Sequence, residues 1–305
     1  RSASMEHAEI ITNAYNFTKN AFFSIAQFPR WLVLFFYIIG PVIVGFILAT
    51  IVLQLIVLPI LVSLLVGPDF GFTQEVLSGL LQFLALLIGI SCIFFVPLMQ
   101  GYCYRLFRSD DTMPDTGNLW GLFFNGWRIN ITVLIYAIPL MLISIIYMLV
   151  FMYLFPDTGM YSTADVLDME GMMYVGTVFS YAAIQFVTTL VVLLFAFIGI
   201  THLCRTGSIR EAVSLRTITG IISRIGWYDY ILSLVVMSIL YLMVTFVVVS
   251  LSQLFSNNLV IMTVLYVLYI FALVPITVFF IKYLSEVYDT AFLPDERDDE
   301  EFDFF

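Results

Sequence analysis

Long uninterrupted runs of apolar residues alternate along this chain with shorter polar segments. Six of these runs are long enough to cross a hydrocarbon core of about 30 Å, which takes about twenty apolar residues in a helix. The six runs are Trp31–Val66, Val76–Met99, Ile131–Phe155, Met173–Leu203, Ile231–Phe255 and Leu259–Ile281. The pattern therefore predicts an all-α integral membrane protein with six transmembrane helices.

The first run is longer than one straight span requires. As a helix, its 36 residues would extend about 54 Å at a rise of about 1.5 Å per residue. Gly40-Pro41 and Pro59 are the places where we expect the helix to kink or break, because proline has no backbone N–H. A re-entrant segment within this run is the alternative to a single kinked span.

The basic residues mark one side of the membrane. All twelve lie outside the three connections Gly67–Glu75, Pro156–Gly171 and Ser256–Asn258, which hold acids and neutral residues only. The twelve are Arg1, Lys19, Arg30, Arg105, Arg108, Arg128, Arg205, Arg210, Arg216, Arg224, Lys282 and Arg297. Because basic segments remain in the cytoplasm, we expect a cell-membrane protein with both termini cytoplasmic and an even number of spans.

Three segments on this basic side carry apolar residues at helical spacing: His7–Pro29, Asn118–Trp127 and Ile209–Ile225. Ser208 and Glu211 form an S-x-x-E capping box at the start of the third segment. Amphipathic helices of this kind lie in the membrane interface with their apolar side down. Packing beneath the transmembrane bundle is the other interpretation, and the sequence is compatible with both.

The segments and runs also repeat. Each amphipathic segment precedes a hairpin, and the hairpins begin near Trp31, Ile129 and Tyr228, which are 98 and 99 residues apart. The hairpins end in the matching sequences Gly101–Arg105, Thr201–Arg205 and Lys282–Leu284. We therefore predict three copies of one unit, an amphipathic interfacial helix plus a transmembrane hairpin. The alternative is that any chain with six spans divides into three hairpins.

Two stretches of the chain resemble a known family. The first comprises Gly101-Tyr102, Arg105, Arg108, Pro114, Trp120, Phe123, Gly126, Leu134-Ile135-Tyr136 and Pro139, and the second comprises Ile209–Ala212, Arg216, Ile221, Ile222 and Tyr228–Tyr230. The family is catalogued as domain of unknown function 4013, and the likeness covers roughly residues 20–290. The resemblance implies a polytopic membrane protein of archaea or bacteria, and it implies no catalytic residues.

The composition is that of a membrane protein, and its changes along the chain indicate separate segments. The sequence is 62% hydrophobic and 11% charged, with a net charge of −10, whereas a soluble domain is about 25% charged. We expect residues 1–4 to be a cloning remnant, 5–30 an amphipathic cytoplasmic helix, 31–292 a six-span domain and 293–305 an acidic cytoplasmic tail. The tail holds seven of the 22 acids. The acidic balance argues against nucleic acid as a partner.

The sequence contains no catalytic signature, and we expect neither a cofactor nor a resident metal. Cys103, His202 and Cys204 lie near matching hairpin ends, but their spacing matches no zinc motif. The acids Asp157, Asp165, Asp168 and Glu170 match no calcium loop. Three reduced thiols are expected rather than a disulfide. No His, Asp, Glu or Lys lies in the predicted hydrocarbon region, where coupled transport usually places an ionisable group.

The cationic residues beside the membrane are the candidates for contact with lipid headgroups or a partner: Arg105, Arg108, Arg205, Arg210, Arg216 and Arg224. They lead to the interpretation of a non-enzymatic membrane scaffold that interacts with lipids, or with another protein through its acidic tail. The alternative is a channel or transporter for neutral or lipidic solutes, with Gln54, Gln82 and Gln185 along its path. An interfacial enzyme is the third hypothesis.

Overall fold

A computed structural model describes residues 7–23, 27–65, 74–109, 112–154, 169–255 and 257–292, and the described chain is helical. The longer helices are α1 (His7–Phe22), α2 (Phe28–Val52), α3 (Leu58–Leu65), α4 (Gln74–Phe95), α5 (Leu98–Arg108), α6 (Leu119–Leu154) and α7 (Met169–Thr206). They are followed by α8 (Ile209–Ala212), α9 (Leu215–Ile225), α10 (Trp227–Leu254) and α11 (Leu259–Asp289). A π-helical turn, Leu53–Val57, joins α2 to α3.

Six helical stretches are long and apolar enough to cross a membrane: Phe28–Val62, Gln74–Arg108, Leu119–Leu154, Met172–Thr206, Trp227–Leu254 and Val260–Phe292. Leu119–Leu154 contains an apolar stretch of 18 residues, and none of these residues is buried inside the molecule. Surface of this kind is stable only against hydrocarbon. The predicted all-α membrane fold with six spans is confirmed.

The chain forms two compact units. Unit 1 comprises residues 1–130 and 228–305, and unit 2 comprises residues 131–227. We call the span ends next to the Lys and Arg residues the basic ends. In unit 1 the largest buried side chains are tyrosines at these ends: Tyr102, Tyr104, Tyr230 and Tyr283. In unit 2, Leu203, Cys204 and Ala212 are buried at the basic end of α7 and in α8.

The first apolar run does not break at its first proline. Gly40-Pro41 was predicted to kink or break the helix; Pro41 lies inside the continuous helix α2, so the helix does not break there. The irregularity is instead the π-helical turn Leu53–Val57, which ends two residues before Pro59. A π turn shifts the hydrogen-bond ladder by one residue, so the helix accommodates the proline without ending.

The second run contains a break that the sequence analysis missed. Helix α4 ends at Phe95, and α5 begins at Leu98, directly after Pro97. Pro97 has no N–H to donate, and the backbone N–H of Leu98 turns to the carbonyl of Val96 at 2.9 Å. Two side chains supply the missing donors.

The side-chain amide of Asn130 donates to the carbonyl of Phe94 at 2.7 Å, and the amide of Gln100 donates to the carbonyl of Ile93 at 3.3 Å. Asn130 is buried. Within the apolar part of a membrane protein a carbonyl without a donor costs several kcal/mol. These two amides therefore make the break at Pro97 possible.

The three amphipathic segments differ from one another. Helix α1 ends at Phe22, before the predicted limit of Pro29, and packs against α11 with Ile10, Ala14 and Ala21 buried. The predicted helix Asn118–Trp127 is wrong as a separate element, because it forms the first turns of α6. No helix-breaking residue separates Trp127 from the span that follows, so the helix continues.

The third segment is divided. Val213 and Ser214 separate α8 from α9, and Ser214 caps α9 by accepting from the backbone N–H of Thr217 at 3.4 Å. The four isoleucines of α9 are buried, and α9 packs against α7 and α8. The apolar sides of α1 and α9 therefore rest largely on protein.

The threefold repeat stays a prediction, and the tail at 293–305 lies outside the described residues.

Candidate interaction surface at the basic ends of the helices

Three of the predicted contact residues are exposed in unit 2. Arg210 lies on α8, and Arg216 and Arg224 lie on α9. On α9, Arg216 and Arg224 are two turns apart and lie opposite the buried isoleucines, because eight residues place side chains within about 80° of each other. Burial of the isoleucines therefore fixes the direction in which these two guanidinium groups project.

Apolar side chains border these arginines. Leu215, at the first turn of α9, is 62% exposed, and Trp227, just after Gly226, is 42% exposed. Gly226 has φ 98°, a backbone conformation that favours glycine and that turns the chain from α9 into α10. Cations beside exposed Leu and Trp are typical of the boundary between headgroups and hydrocarbon.

The predicted capping box at α8 is only half formed. The hydroxyl of Ser208 accepts from the backbone N–H of Glu211 at 3.4 Å, as the box requires. The carboxylate of Glu211 does not return to Ser208; it lies 3.5 Å from Nε2 of His202 on α7. The N–H of Ser208 donates instead to the hydroxyl of Thr206 at 3.3 Å.

A tyrosine fixes α8 to the spans of unit 2. The hydroxyl of Tyr136, on α6, donates to the carbonyl of Ala212 at 2.6 Å. Gly199 of α7 leaves room for this contact, since a Cβ there would lie 2.2 Å from the Tyr136 oxygen. Arg205, the last base of α7, is half-buried and has polar contacts within the described chain.

The Arg105 side chain is engaged by backbone carbonyls of unit 1. Its guanidinium donates to the carbonyls of Asp115 at 2.9 Å, Gly117 at 2.7 Å and Asn118 at 3.1 Å. Three of its five N–H donors are thereby used. The Asn118 side chain accepts from the N–H of Gly121 and starts α6, so Arg105 holds the segment that leads into this helix.

Arg108 and Lys282 complete the cations of interest in unit 1. Arg108 is exposed and lies 5.9 Å from the ring centroid of Tyr104. Lys282 is 7% exposed, with its ammonium 4.8 Å from the ring centroid of Phe17 and 3.3 Å from the carbonyl of Ser109. Lys282 lies at a hairpin end, as predicted, but its burial was not predicted, because it depends on α1 covering the side chain.

The three predicted pathway glutamines have different environments. Gln54 pairs with Ser78 across the α2–α4 hairpin, at 3.3 Å to its carbonyl and 3.4 Å to its hydroxyl. Gln82 is exposed on α4. Gln185 of α7 is half-buried, and no described group donates to its side-chain oxygen. Gln54 therefore joins two helices, as polar residues in membranes commonly do.

The described part of the chain holds no group of three or more His, Cys, Asp or Glu residues placed to bind a metal. Cys92, Cys103 and Cys204 all lie in that part and form no disulfide. The acids between Asp157 and Asp168 lie outside it. The structure does reveal one cleft that the sequence analysis missed, between α6 and α7 in unit 2, bordered by Ser144, Tyr147 and Tyr181. The helical spacing of Ser144 and Tyr147 was the available signal.

Comparison with known proteins adds a family. No curated protein and no solved structure matches the chain. A family model described as "Protein of unknown function (DUF4013)" matches residues 83–253, which is 171 of the 305 residues and runs from α4 to the end of α10. The matched segment includes all six predicted contact arginines and the cleft. Since it covers more than half of the chain, this multi-pass membrane protein belongs to the DUF4013 family.

Proposed function

We propose that this protein is a non-enzymatic membrane scaffold that binds anionic lipid headgroups through Arg210, Arg216 and Arg224. The observation that carries the proposal is the orientation of α9, whose buried isoleucines leave Arg216 and Arg224 projecting away from the protein. A phosphate-bearing headgroup is the natural partner of guanidinium groups at a membrane surface, because the contact is charged and bidentate.

The apolar neighbours support a lipid rather than a free anion as the ligand. Leu215 and Trp227 are exposed beside the arginines. A soluble phosphate gains nothing from apolar contacts, whereas the interface of a bilayer supplies both hydrocarbon and phosphate. Arg108 is an additional contact, since it is exposed. Arg105 contributes less, because three of its N–H groups already donate to backbone carbonyls.

The proposed location is the cytoplasmic membrane of an archaeon or bacterium, with the basic ends and both termini in the cytoplasm. The distribution of all twelve bases supports this orientation. The cytoplasmic leaflet also carries the anionic surface that attracts juxtamembrane bases. Thiol labelling from one side of sealed vesicles, with single cysteines at Arg108 and Arg216, tests it: both should react from the cytoplasmic side.

The headgroup proposal is tested by the triple substitution of Arg210, Arg216 and Arg224 to Gln. Each base near an anionic surface contributes about 1 kcal/mol, so the loss of three weakens binding by roughly 100-fold. The measurement is retention of phosphatidylglycerol and of phosphatidylcholine by native mass spectrometry at low ionic strength. We expect the variant to lose its preference for phosphatidylglycerol.

The control is the same triple substitution to Lys, which keeps the charge and removes only the planar guanidinium. It should retain most of the preference for the anionic lipid. A Gln variant that holds phosphatidylglycerol as well as the unmodified protein does would contradict the proposal, provided that both have the same melting temperature.

A further inference from the structure

The α6–α7 hairpin of unit 2 contains a cleft of about 250 Å³. It lies between Ser144, Tyr147, Met148 and Phe151 on α6 and residues of α7 that include Val178 and Tyr181. Ser144 lies ten residues before the end of α6 at Leu154, which is about 15 Å along the helix. The cleft is therefore within the apolar part of the span, away from the basic end.

One arrangement of protons accounts for all the hydroxyl contacts of the cleft. In it, the Ser144 hydroxyl donates to the carbonyl of Leu140 at 2.9 Å. Ser144 then accepts in its 3.1 Å contact with the Tyr181 hydroxyl, and Tyr181 donates. The phenolic oxygen of Tyr181 has used its one proton and keeps its lone pairs for a second partner.

The Tyr147 hydroxyl has likewise donated its proton, and its oxygen can still accept a hydrogen bond. The hydroxyl donates to the Ser180 oxygen at 3.4 Å, and Ser180 in turn donates to the carbonyl of Thr177 at 2.9 Å. The rings of Tyr147 and Tyr181 hold each other, with centroids 5.1 Å apart. The cleft thus presents two phenolic oxygens that can accept hydrogen bonds, and it favours a ligand that brings an O–H donor.

The walls of the cleft restrict the ligand further. Among the described residues, those that line the cleft include no acid or base, so an ionised group would enter without a countercharge from them at a depth where charge is costly. Met148 and Phe151 supply an apolar wall. An uncharged hydroxyl attached to a hydrocarbon chain matches both the phenolic oxygens and this apolar wall.

The size and position of the cleft favour a molecule of the bilayer. A volume of about 250 Å³ is below the 300–1,000 Å³ typical of sites that enclose a whole small molecule. Met148 and Val178 at its rim are exposed on the lipid-facing surface. A ligand can therefore place its hydroxyl in the cleft while its chains stay in the surrounding hydrocarbon.

We propose that this cleft binds the free hydroxyl of an uncharged glycerolipid of the diacylglycerol type. Its hydroxyl donates to Tyr181 or Tyr147, and its nearest chain lies against Met148 and Phe151. This site is separate from the arginines of the proposed headgroup surface, so the two proposals are independent and one can be wrong while the other is right.

The test is photolabelling of the full-length protein in phosphatidylcholine vesicles with a diacylglycerol that carries a diazirine in one acyl chain. Peptide mapping should place the label on residues 144–151 and 177–181, and unlabelled dioleoylglycerol should displace it. The Met148→Trp substitution fills the cleft and should reduce labelling there about tenfold, the equivalent of about 1.4 kcal/mol of lost binding free energy. Ile146→Trp is the control, because Ile146 is 56% exposed and does not line the cleft.

Tyr181→Phe removes the oxygen and keeps the ring, so it preserves packing. It should reduce labelling about threefold, the equivalent of one interhelical hydrogen bond in a membrane. The triple Gln substitution of the arginines should leave the labelling unchanged. Equal labelling of the Met148→Trp and Ile146→Trp variants would overturn the proposal. If phosphatidylglycerol displaced the probe as effectively as dioleoylglycerol does, the proposal would be overturned as well. The labelling would then come from non-specific contact with the surrounding lipid.

Discussion

The α2–α4 and α6–α7 hairpins cross the same kind of membrane but meet through different side chains. In α4 the buried positions are Leu77, Leu81, Ala85 and Gly89, at a spacing of four residues. A Cβ on Gly89 would lie 3.0 Å from the carbonyl oxygen of Val42 on α2. In the α6–α7 hairpin, tyrosine rings lie between the helices instead.

Side-chain size therefore decides whether two helices of a membrane hairpin pack closely or leave a cleft. Without a hydrophobic driving force in lipid, helices associate through close packing and polar contacts. Glycine and alanine allow the backbones of α2 and α4 to approach closely. Tyr147 and Tyr181 act as spacers that bring hydroxyl groups into hydrocarbon and leave a cleft beside them.

The largest expected effect is a disulfide across the glycine contact. A Cβ on Gly45 would lie 3.0 Å from the Cβ of Cys92, a few tenths of an ångström closer than the range of about 3.5–4.5 Å found in disulfides. Oxidation of the Gly45→Cys variant should therefore consume two of its four cysteines, the three native ones plus the new one. Maleimide labelling after denaturation, read by mass, counts the thiols that remain.

Gly40→Cys is the matched control on the same helix, because nothing lies within 4 Å of a Cβ at Gly40. All four thiols should remain in that variant. Equal crosslinking of the two variants would mean that α2 and α4 do not meet as described.

Gly89→Val is expected to destabilise the protein by about 3 kcal/mol, since the added methyl groups meet the backbone of α2, which cannot move away as a side chain would. Gly79→Val on the same helix is the control, with nothing within 4 Å of its Cβ, and should stay within about 0.5 kcal/mol. The measurement is the melting temperature in detergent. A smaller loss at Gly89 than at Gly79 would contradict the close contact.

Asn130→Ala should cost about 2 kcal/mol, because the carbonyl of Phe94 loses its donor in an apolar environment. This substitution tests whether the broken end of α4 depends on a side chain from α6. The half-exposed Asn125 supplies the control, Asn125→Ala. In a Pro97→Ala background the loss of stability should be smaller, because a regular helix supplies a backbone N–H to the carbonyl of Phe94. An unchanged loss would mean that Asn130 does not stabilise the break at Pro97.

The smallest effect is expected in the tyrosine hairpin. Tyr181→Phe should cost about 0.6 kcal/mol, the average for one interhelical hydrogen bond within a membrane. Melting temperature reports it, and Tyr147→Phe provides a second example in the same cleft. A loss as large as that at Gly89 would indicate that the hydroxyl groups, rather than the rings, hold α6 and α7 together.

Much of the architecture could be predicted from the sequence, because length and hydropathy alone decide whether a segment spans a bilayer. The six spans and the family resemblance are confirmed. A kink or break was predicted at Gly40-Pro41, where helix α2 continues, and the break at Pro97 was missed, although both positions hold a proline inside an apolar run. What separates them is the supply of donors: Asn130 and Gln100 satisfy the carbonyls at Pro97, and their contribution is not visible in the local sequence.

The candidate arginines illustrate the same limit. The sequence placed all six beside the membrane, and Arg105 and Arg216 looked equivalent. The structure engages Arg105 with three backbone carbonyls and leaves Arg216 exposed. Whether a guanidinium can bind a lipid depends on the loop that folds around it.

Partition between water and hydrocarbon acts on each segment separately, so hydropathy along the chain is enough to identify a helical membrane protein with its cations next to alternate span ends. The close glycine contact in one hairpin, the tyrosine-lined cleft in another and the outward direction of two arginines on α9 appear only when the helices are packed together. Those properties depend on which side chains meet across helices distant in sequence, and hydrocarbon outside the protein exerts no preference among them.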